Sequence, residues 1–144
     1  MIKIGWGGAT HHSDMNNHNY IEFGSFAEGL AEKFLKDRGY KILGRNYRKP
    51  WGEIDIIAEK LCEEDGNKTV IFVEVKASDS PAPKGFEPEK RVNNDKILRI
   101  KRAAQTYIQQ KNLDDRSWQI DLIAIEFNKD RGAAKITHFK NIGI

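Results

Sequence analysis

The chain has 144 residues, of which 39% are hydrophobic and 31% charged, and its net charge is +3. This length supports one hydrophobic core but not two, and the composition is that of a globular domain. The single cysteine, Cys62, excludes an intrachain disulfide and a multi-cysteine metal site. No apolar run approaches the roughly 20 residues of a membrane-spanning helix. The N-terminus also lacks a signal-peptide pattern, so we expect a cytoplasmic protein without membrane contacts.

The first twenty residues differ in composition from the rest of the chain. They are rich in Gly, Asn and His and show neither helical nor strand periodicity. Such a segment cannot bury enough apolar surface to fold, which predicts a flexible arm over 1–20 and a single domain over 21–144. Whether Met1 or Met15 is the true translation start stays open.

A helix is predicted over 24–38. Apolar residues recur there at spacings of three and four, which gives one apolar face: Phe26, Ala27, Leu30, Ala31, Phe34 and Leu35. Ser25 is positioned to be the N-cap, with Glu28 as its capping-box partner three residues later. Gly39 is a natural C-terminal stop.

Three strands are predicted after this helix. The first covers 40–48 and ends in basic residues. The segments GEIDIIAEK (52–60) and TVIFVEVKA (69–77) flank the reversal signal Asp65-Gly66, which predicts a β-hairpin. The second of these strands is apolar on both faces, as expected of a central strand.

The C-terminal half predicts one further helix and two strands. Three of the four prolines fall within 78–91, which indicates a loop. An apolar stripe predicts a helix over 94–111, and strands are predicted over 118–127 and 134–140. The order α-β-β-β-α-β-β predicts an α/β fold with a mixed central sheet flanked by helices.

The hairpin carries the residues with the clearest chemical potential. Strand alternation places Glu74 and Lys76 on one face of their strand, and neighbouring strands lie only about 4.8 Å apart, so Asp55 can converge on Glu74. Two adjacent carboxylates repel each other unless a cation lies between them. Mg²⁺ suits such a pair and would polarise a water for attack on a phosphodiester. Lys76 could orient or deprotonate this water, or stabilise charge on the phosphate.

The same residues also have a purely structural interpretation. A cross-strand ion pair between Lys76 and either Asp55 or Glu74 would close the end of the sheet without any metal. The residues alone do not decide between an ion pair and a metal site.

The spacing of these residues resembles a known nuclease signature. Asp55, a gap of eighteen residues and then Glu74-Val75-Lys76 resemble the D…(D/E)-x-K pattern of the restriction-endonuclease-like, or PD-(D/E)XK, superfamily. The segments GSFAEGLAEKFLKDRGYKILGRNYR, GEIDIIA, IFVEVK and QIDLIAI resemble the YraN family of small bacterial proteins. That family is similar in fold to archaeal Holliday-junction resolvases. The likeness extends from Gly24 to Phe127.

The resemblance implies roles for individual residues. Asp55 and Glu74 would ligate a metal, with the Val75 carbonyl as a third ligand and Lys76 as the catalytic lysine. Glu28 stands where resolvase-like proteins carry a helix carboxylate near the metal, and the capping box described above is its alternative role.

Several positions depart from the family pattern or stay ambiguous. Glu53 either supports the metal ligands or is a charge at the end of a strand. Ala27 stands where the family usually has Gly, and Ala77 and Ser78 replace a frequent Thr-Arg that would contact phosphate. The turn over 62–68 is longer than usual.

Basic residues surround the predicted site in the sequence. They form three groups: Arg45, Arg48 and Lys49; Lys84, Lys90 and Arg91; Lys96, Arg99 and Arg102. If these flank one cleft, they would bind nucleic-acid phosphates with strong salt dependence. The alternative is a solvated surface. Trp51 lies among them and could stack on an unpaired base or pack internally.

These observations together predict a Mg²⁺- or Mn²⁺-dependent endonuclease that hydrolyses DNA, at branched or single-stranded structures. The alternative is a non-catalytic nucleic-acid-binding or adaptor protein that retains the nuclease fold. A third interpretation is a structural protein in which a charge pair closes the sheet. Many junction-cutting relatives act as homodimers, although this sequence shows no interface.

Overall fold

The computed structural model describes residues 2–3, 17–79, 92–128 and 132–143, with side chains from Phe23 onward. Its elements in chain order are β1 (Ile2–Lys3), α1 (Asn17–Asp37), β2 (Lys41–Lys49), β3 (Gly52–Leu61), β4 (Lys68–Ser78), α2 (Asn94–Gln110), β5 (Ser117–Asn128) and β6 (Ala133–Phe139). The predicted α/β fold and its order α-β-β-β-α-β-β are confirmed. The short strand β1 precedes that order and pairs antiparallel with β6.

The strands form one mixed sheet in the order β1-β6-β5-β4-β3-β2. β4 and β5 are parallel, and every other neighbouring pair is antiparallel. Parallel strands cannot be joined by a tight turn, so the chain crosses over through α2 between β4 and β5. This crossover brings the N-terminal end of α2 to the end of β4 that carries Glu74.

Each helix covers one face of the sheet. On the α1 face, Ala27, Ala31 and Leu35 pack with strand residues that include Ile56 and Val73. On the α2 face, a second cluster gathers strand and helix side chains, among them Ile54, Ile57, Phe72, Ile100, Ala104 and Tyr107. Burial on both faces explains why β3 and β4 are so apolar.

Helix α1 is longer than predicted. It begins at Asn17 rather than at residue 24, so Ser25 lies inside the helix and is not its N-cap. The capping-box role of Glu28 is therefore wrong. Packing of the α1 face against the sheet outweighs the local capping signal, because most helix stability in a protein comes from such tertiary contacts.

The predicted end of α1 is confirmed. Gly39 has a φ of +84°, and its N–H donates to the carbonyl of Lys36 at 3.0 Å. The N–H of Tyr40 donates to the carbonyl of Leu35 at 3.0 Å, which completes a Schellman motif. Glycine suits this position because side chains disfavour a positive φ.

Some predictions fall on residues outside the described ranges. Most of the proposed flexible arm over 1–20, including Met15, lies there, although Ile2–Lys3 is a strand and the last part of the arm belongs to α1. The loop predicted over 78–91 is described only as far as residue 79. Among the described residues, no helix is long and apolar enough to cross a membrane.

Candidate functional site

The pairing of β3 with β4 stops just before Asp55. The last paired residues are Ile56 and Val73, although β3 continues beside β2 and β4 continues beside β5. Beyond this point, Asp55 Oδ2 accepts a hydrogen bond from the Val75 N–H at 2.8 Å. The Asp55 carboxylate thus accepts a hydrogen bond that a backbone carbonyl of β3 would accept in regular strand pairing. This hydrogen bond fixes the position of the carboxylate where β3 and β4 diverge.

A pocket opens at this divergence, between the two helices. Its lining residues come from α1, β3, β4 and α2: Phe23, Gly24, Ala27, Glu28, Glu53, Asp55, Glu74, Val75, Ala77 and Lys96. The site residues Asp55, Glu74 and Val75 therefore share one pocket with the supporting candidates Glu28 and Glu53. Lys76 reaches the same group through its contact with Glu74.

Glu74 is the most unusual residue of the pocket, because it is charged and only 3% exposed. Its Oε1 lies 3.4 Å from the Lys96 Nζ and 3.7 Å from the Lys76 Nζ. Its Oε2 is buried and has no hydrogen-bond partner within the described part of the chain. A buried carboxylate oxygen without a partner is costly, and it indicates a ligand position.

The pKa of Asp55 is strongly shifted in this pocket. Burial first, and then the neighbouring Glu74 carboxylate, raise the pKa of Asp55 from 3.8 to about 7. The hydrogen bond from the Val75 N–H and the charge of Lys96 act in the opposite direction. Close to neutral pH the two carboxylates therefore favour either a shared proton or a cation.

The donor set fits a hard divalent cation. Asp55 and Oε2 of Glu74, which has no partner among the described residues, supply carboxylate oxygens, and Val75 lines the same pocket. Within 17–79, 92–128 and 132–143, no group of three or more His, Cys, Asp or Glu side chains is placed to hold a metal. Mg²⁺ tolerates such a sparse set, because it commonly keeps several waters and takes only one or two carboxylates.

Glu28 lies in the pocket wall, but Arg45 neutralises it. Its Oε2 is 3.3 Å from the Arg45 guanidinium, which also contacts Glu32 at 3.1 Å. Arg45 therefore links β2 to α1, and this use of the guanidinium competes with the predicted contact to nucleic acid. Glu53 similarly lies 3.8 Å from Arg48, although both of these side chains are largely exposed.

The other basic candidates have different surroundings. The Lys49 ammonium lies 5.2 Å from the centre of the Tyr47 ring, and Arg99 and Arg102 are exposed along α2. Lys96 lines the pocket itself. Its grouping with Arg99 and Arg102 in the sequence did not predict this position. The remaining three candidates, Lys84, Lys90 and Arg91, lie outside the described residues.

A second buried charge was missed from the sequence. Asp121 is fully buried, accepts hydrogen bonds from Gln119 Nε2 at 2.8 Å and the Asn141 N–H at 2.9 Å, and lies 2.7 Å from His138 Nε2. A lone acidic residue in the apolar strand QIDLIAI was the available signal. None of these four residues lines the pocket, so this cluster ties the C-terminal segment to β5.

Comparison with known proteins reveals a family. The model of the uncharacterised protein family UPF0102 matches residues 27–125. A UPF0102 protein of Fervidobacterium nodosum is 41% identical over 121 residues, covering 81% of this chain and 78% of the relative. Relatives of the same description from Kosmotoga olearia and Alkaliphilus oremlandii are 38% and 37% identical. They cover 85% and 83% of this chain, and 94% and 96% of their own lengths.

Proposed function

This chain belongs to the uncharacterised protein family UPF0102, the YraN family that its motifs indicated, and we propose that it is a divalent-cation-dependent endonuclease. The cation, Mg²⁺ or Mn²⁺, would be held by Asp55 and Glu74 with the Val75 carbonyl. The observation that carries the proposal is the buried Oε2 of Glu74, which has no partner among the described residues and shares a pocket with Asp55.

The residues of the site have different roles in the proposed reaction. The Val75 N–H holds the Asp55 carboxylate at a fixed position, which preorganises this ligand for a cation. When bound, the cation supplies a water polarised for attack and neutralises charge on the phosphate. Lys76 carries its ammonium 3.7 Å from Glu74 and reaches solvent, so it can orient this water or stabilise negative charge on the phosphate.

Exposed basic side chains on the elements around the pocket support nucleic acid as the substrate class. Arg99 and Arg102 are exposed on α2, and Lys49 lies on the neighbouring hairpin. Cations in this arrangement contact phosphates and do not read base edges, which favours recognition of DNA backbone shape. Trp51 is 44% exposed at the tip between β2 and β3, and it can stack on an unpaired base. We therefore expect cleavage at branched or single-stranded DNA, in the cytoplasm.

The test combines cation binding with cleavage. Mn²⁺ is titrated calorimetrically, and linear, single-stranded, flap and four-way DNA substrates are incubated with Mg²⁺ or Mn²⁺. Asp55→Asn should abolish cleavage and weaken Mn²⁺ binding. Asp37→Asn, which changes an exposed α1 carboxylate, is the matched control and should do neither.

Two outcomes would contradict this proposal. Cleavage that survives Asp55→Asn would show that the reaction does not need the Asp55 carboxylate, which contradicts the proposed cation site. DNA binding without cleavage of any substrate, in a wild-type protein that binds no Mn²⁺, would favour a nucleic-acid-binding adaptor that keeps the nuclease fold.

A further inference from the structure

The N-terminal turn of α2 aims a lysine into the pocket. Asn93 is the N-cap of this helix, and its side chain accepts a hydrogen bond from the Lys96 N–H at 2.9 Å. Ile100, one turn after Lys96, is 1% exposed in the core of the α2 face. Residues four apart share a helix face, so Lys96 extends from the same side toward the end of the sheet.

The backbone of α2 approaches β3 closely near Lys96. A side chain at Gly52 would overlap the carbonyl oxygen of Arg99, so the helix backbone lies directly against the start of β3. Asp55 follows three residues later on that strand. The beginning of α2 is therefore anchored twice, by its cap at Asn93 and by the contact of Arg99 in its second turn.

Two lysines share one oxygen of Glu74. The Nζ atoms of Lys96 and Lys76 both contact Oε1, at 3.4 Å and 3.7 Å, and both side chains are partly exposed. Lys96 lines the pocket, whereas Lys76 does not. A cation on Oε2 would weaken the attraction between Glu74 and either ammonium, because it neutralises the carboxylate. Lys96 would then be a mobile cation already inside the pocket.

We propose that Lys96 is a catalytic residue that binds the phosphate undergoing cleavage. It holds Glu74 while the site lacks a cation. Its ammonium would move to a non-bridging phosphate oxygen when Asp55 and Glu74 hold the cation. This inference rests on the proposed function, but it assigns Lys96 to the reacting phosphate and not to the surrounding DNA backbone. A flexible four-carbon stem permits the transfer, and an ammonium is a common phosphate ligand.

The test measures cation and phosphate binding separately in Lys96→Met. Mn²⁺ alone is titrated by calorimetry, and a fluorescent single-stranded oligonucleotide is titrated with Ca²⁺ present, its integrity checked on a gel. Loss of the competing ammonium should tighten Mn²⁺ binding about fivefold. Loss of a charge-assisted phosphate contact should weaken oligonucleotide binding about tenfold and reduce its salt slope by about 1. Opposite changes cannot come from unfolding, which would weaken both.

Two further variants complete the design. Lys96→Arg keeps the charge and should recover oligonucleotide binding to within a few-fold. Lys33→Met removes an exposed lysine that contacts Asp37 on α1, and it should leave both affinities unchanged. Thermal unfolding of each variant verifies that it is folded.

The possible failures are distinguishable. If Lys96→Met tightens Mn²⁺ binding but leaves oligonucleotide binding unchanged, Lys96 only shields Glu74 and this inference is wrong. If the affinities for Mn²⁺ and for the oligonucleotide both fall in a folded protein, Lys96 supports the carboxylates and does not bind phosphate. This result would also overturn the inference. Wild-type protein that binds no Mn²⁺ would instead contradict the proposed function itself.

Discussion

Asp55 links the geometry of the site to the stability of the protein. Its pKa is raised to about 7, so between about pH 4 and pH 7 the folded state holds a proton that the unfolded chain has released. The free energy of unfolding of the metal-free protein should therefore fall as the pH rises through this window, by on the order of a few kcal/mol. Urea unfolding in EDTA at a series of pH values measures this slope.

The same experiment has an internal control. The Asp55→Asn variant has no ionisable group at this position, so its free energy of unfolding should vary less between pH 4 and pH 7. If the wild-type protein and Asp55→Asn show the same slope over this range, the Asp55 pKa is not raised. Adding Mg²⁺ should also reduce the slope, because a bound cation favours the charged carboxylate.

Asp121 is a second buried carboxylate whose contribution to stability can be measured. Asp121→Ala would leave the partner nitrogens of Gln119, His138 and Asn141 without their acceptor. Losing one member of a buried charged group costs about 3–5 kcal/mol. We expect a loss of this size in denaturant unfolding, with Mn²⁺ affinity unchanged under conditions where the variant is folded. A loss below 1 kcal/mol would mean that the cluster contributes little to stability.

At the scale of elements, Gly52 sets the distance between α2 and β3. In Gly52→Ala, the new methyl group would meet the backbone of Arg99, which cannot move aside as a flexible side chain could. Overpacking of this kind costs about 1–3 kcal/mol. Gly29→Ala is the matched control, because a side chain there meets no atom of the described residues within 4 Å. Helix propensity predicts that this control raises stability by up to about 1 kcal/mol, and chemical denaturation measures both variants.

The tip between β2 and β3 has a role that can be tested by binding. Trp51 donates from Nε1 to the Thr106 hydroxyl oxygen at 3.3 Å and presents much of its ring to solvent. If the ring stacks on an unpaired base, Trp51→Ala should weaken single-stranded DNA binding by about 1–3 kcal/mol. Duplex DNA binding should change little. Equal losses on both substrates, measured by fluorescence anisotropy, would contradict stacking.

Local patterns predicted most elements but not every boundary. The hairpin of β3 and β4 was readable from alternation and from Asp65-Gly66, since both signals act within a few residues. The start of α1 was not readable, because Ser25 is a good cap in isolation and only packing against the sheet shows that the helix continues through it. Tertiary contacts decide such boundaries.

At the scale of the whole molecule, the site could be predicted only in part. Asp55 and Glu74 belong to one hairpin, so strand pairing was enough to bring them together. Lys96 and the His138 contact of Asp121 depend on the crossover through α2 and on the order of the strands. No local pattern encodes these long-range arrangements, which explains why Lys96 was read as part of a surface stripe.

The crossover also determines when the pocket gains its second compensating charge, Lys96, during folding. The two carboxylates lie within a single hairpin, whereas Lys96 arrives only when α2 docks and β5 pairs with β4. Contacts between distant parts of a chain generally form later than local ones. The nascent hairpin therefore brings Asp55 and Glu74 together when only Lys76 offsets their charge, before Lys96 arrives. We expect Mg²⁺ to accelerate refolding of wild-type protein but not of Asp55→Asn, as stopped-flow fluorescence would measure.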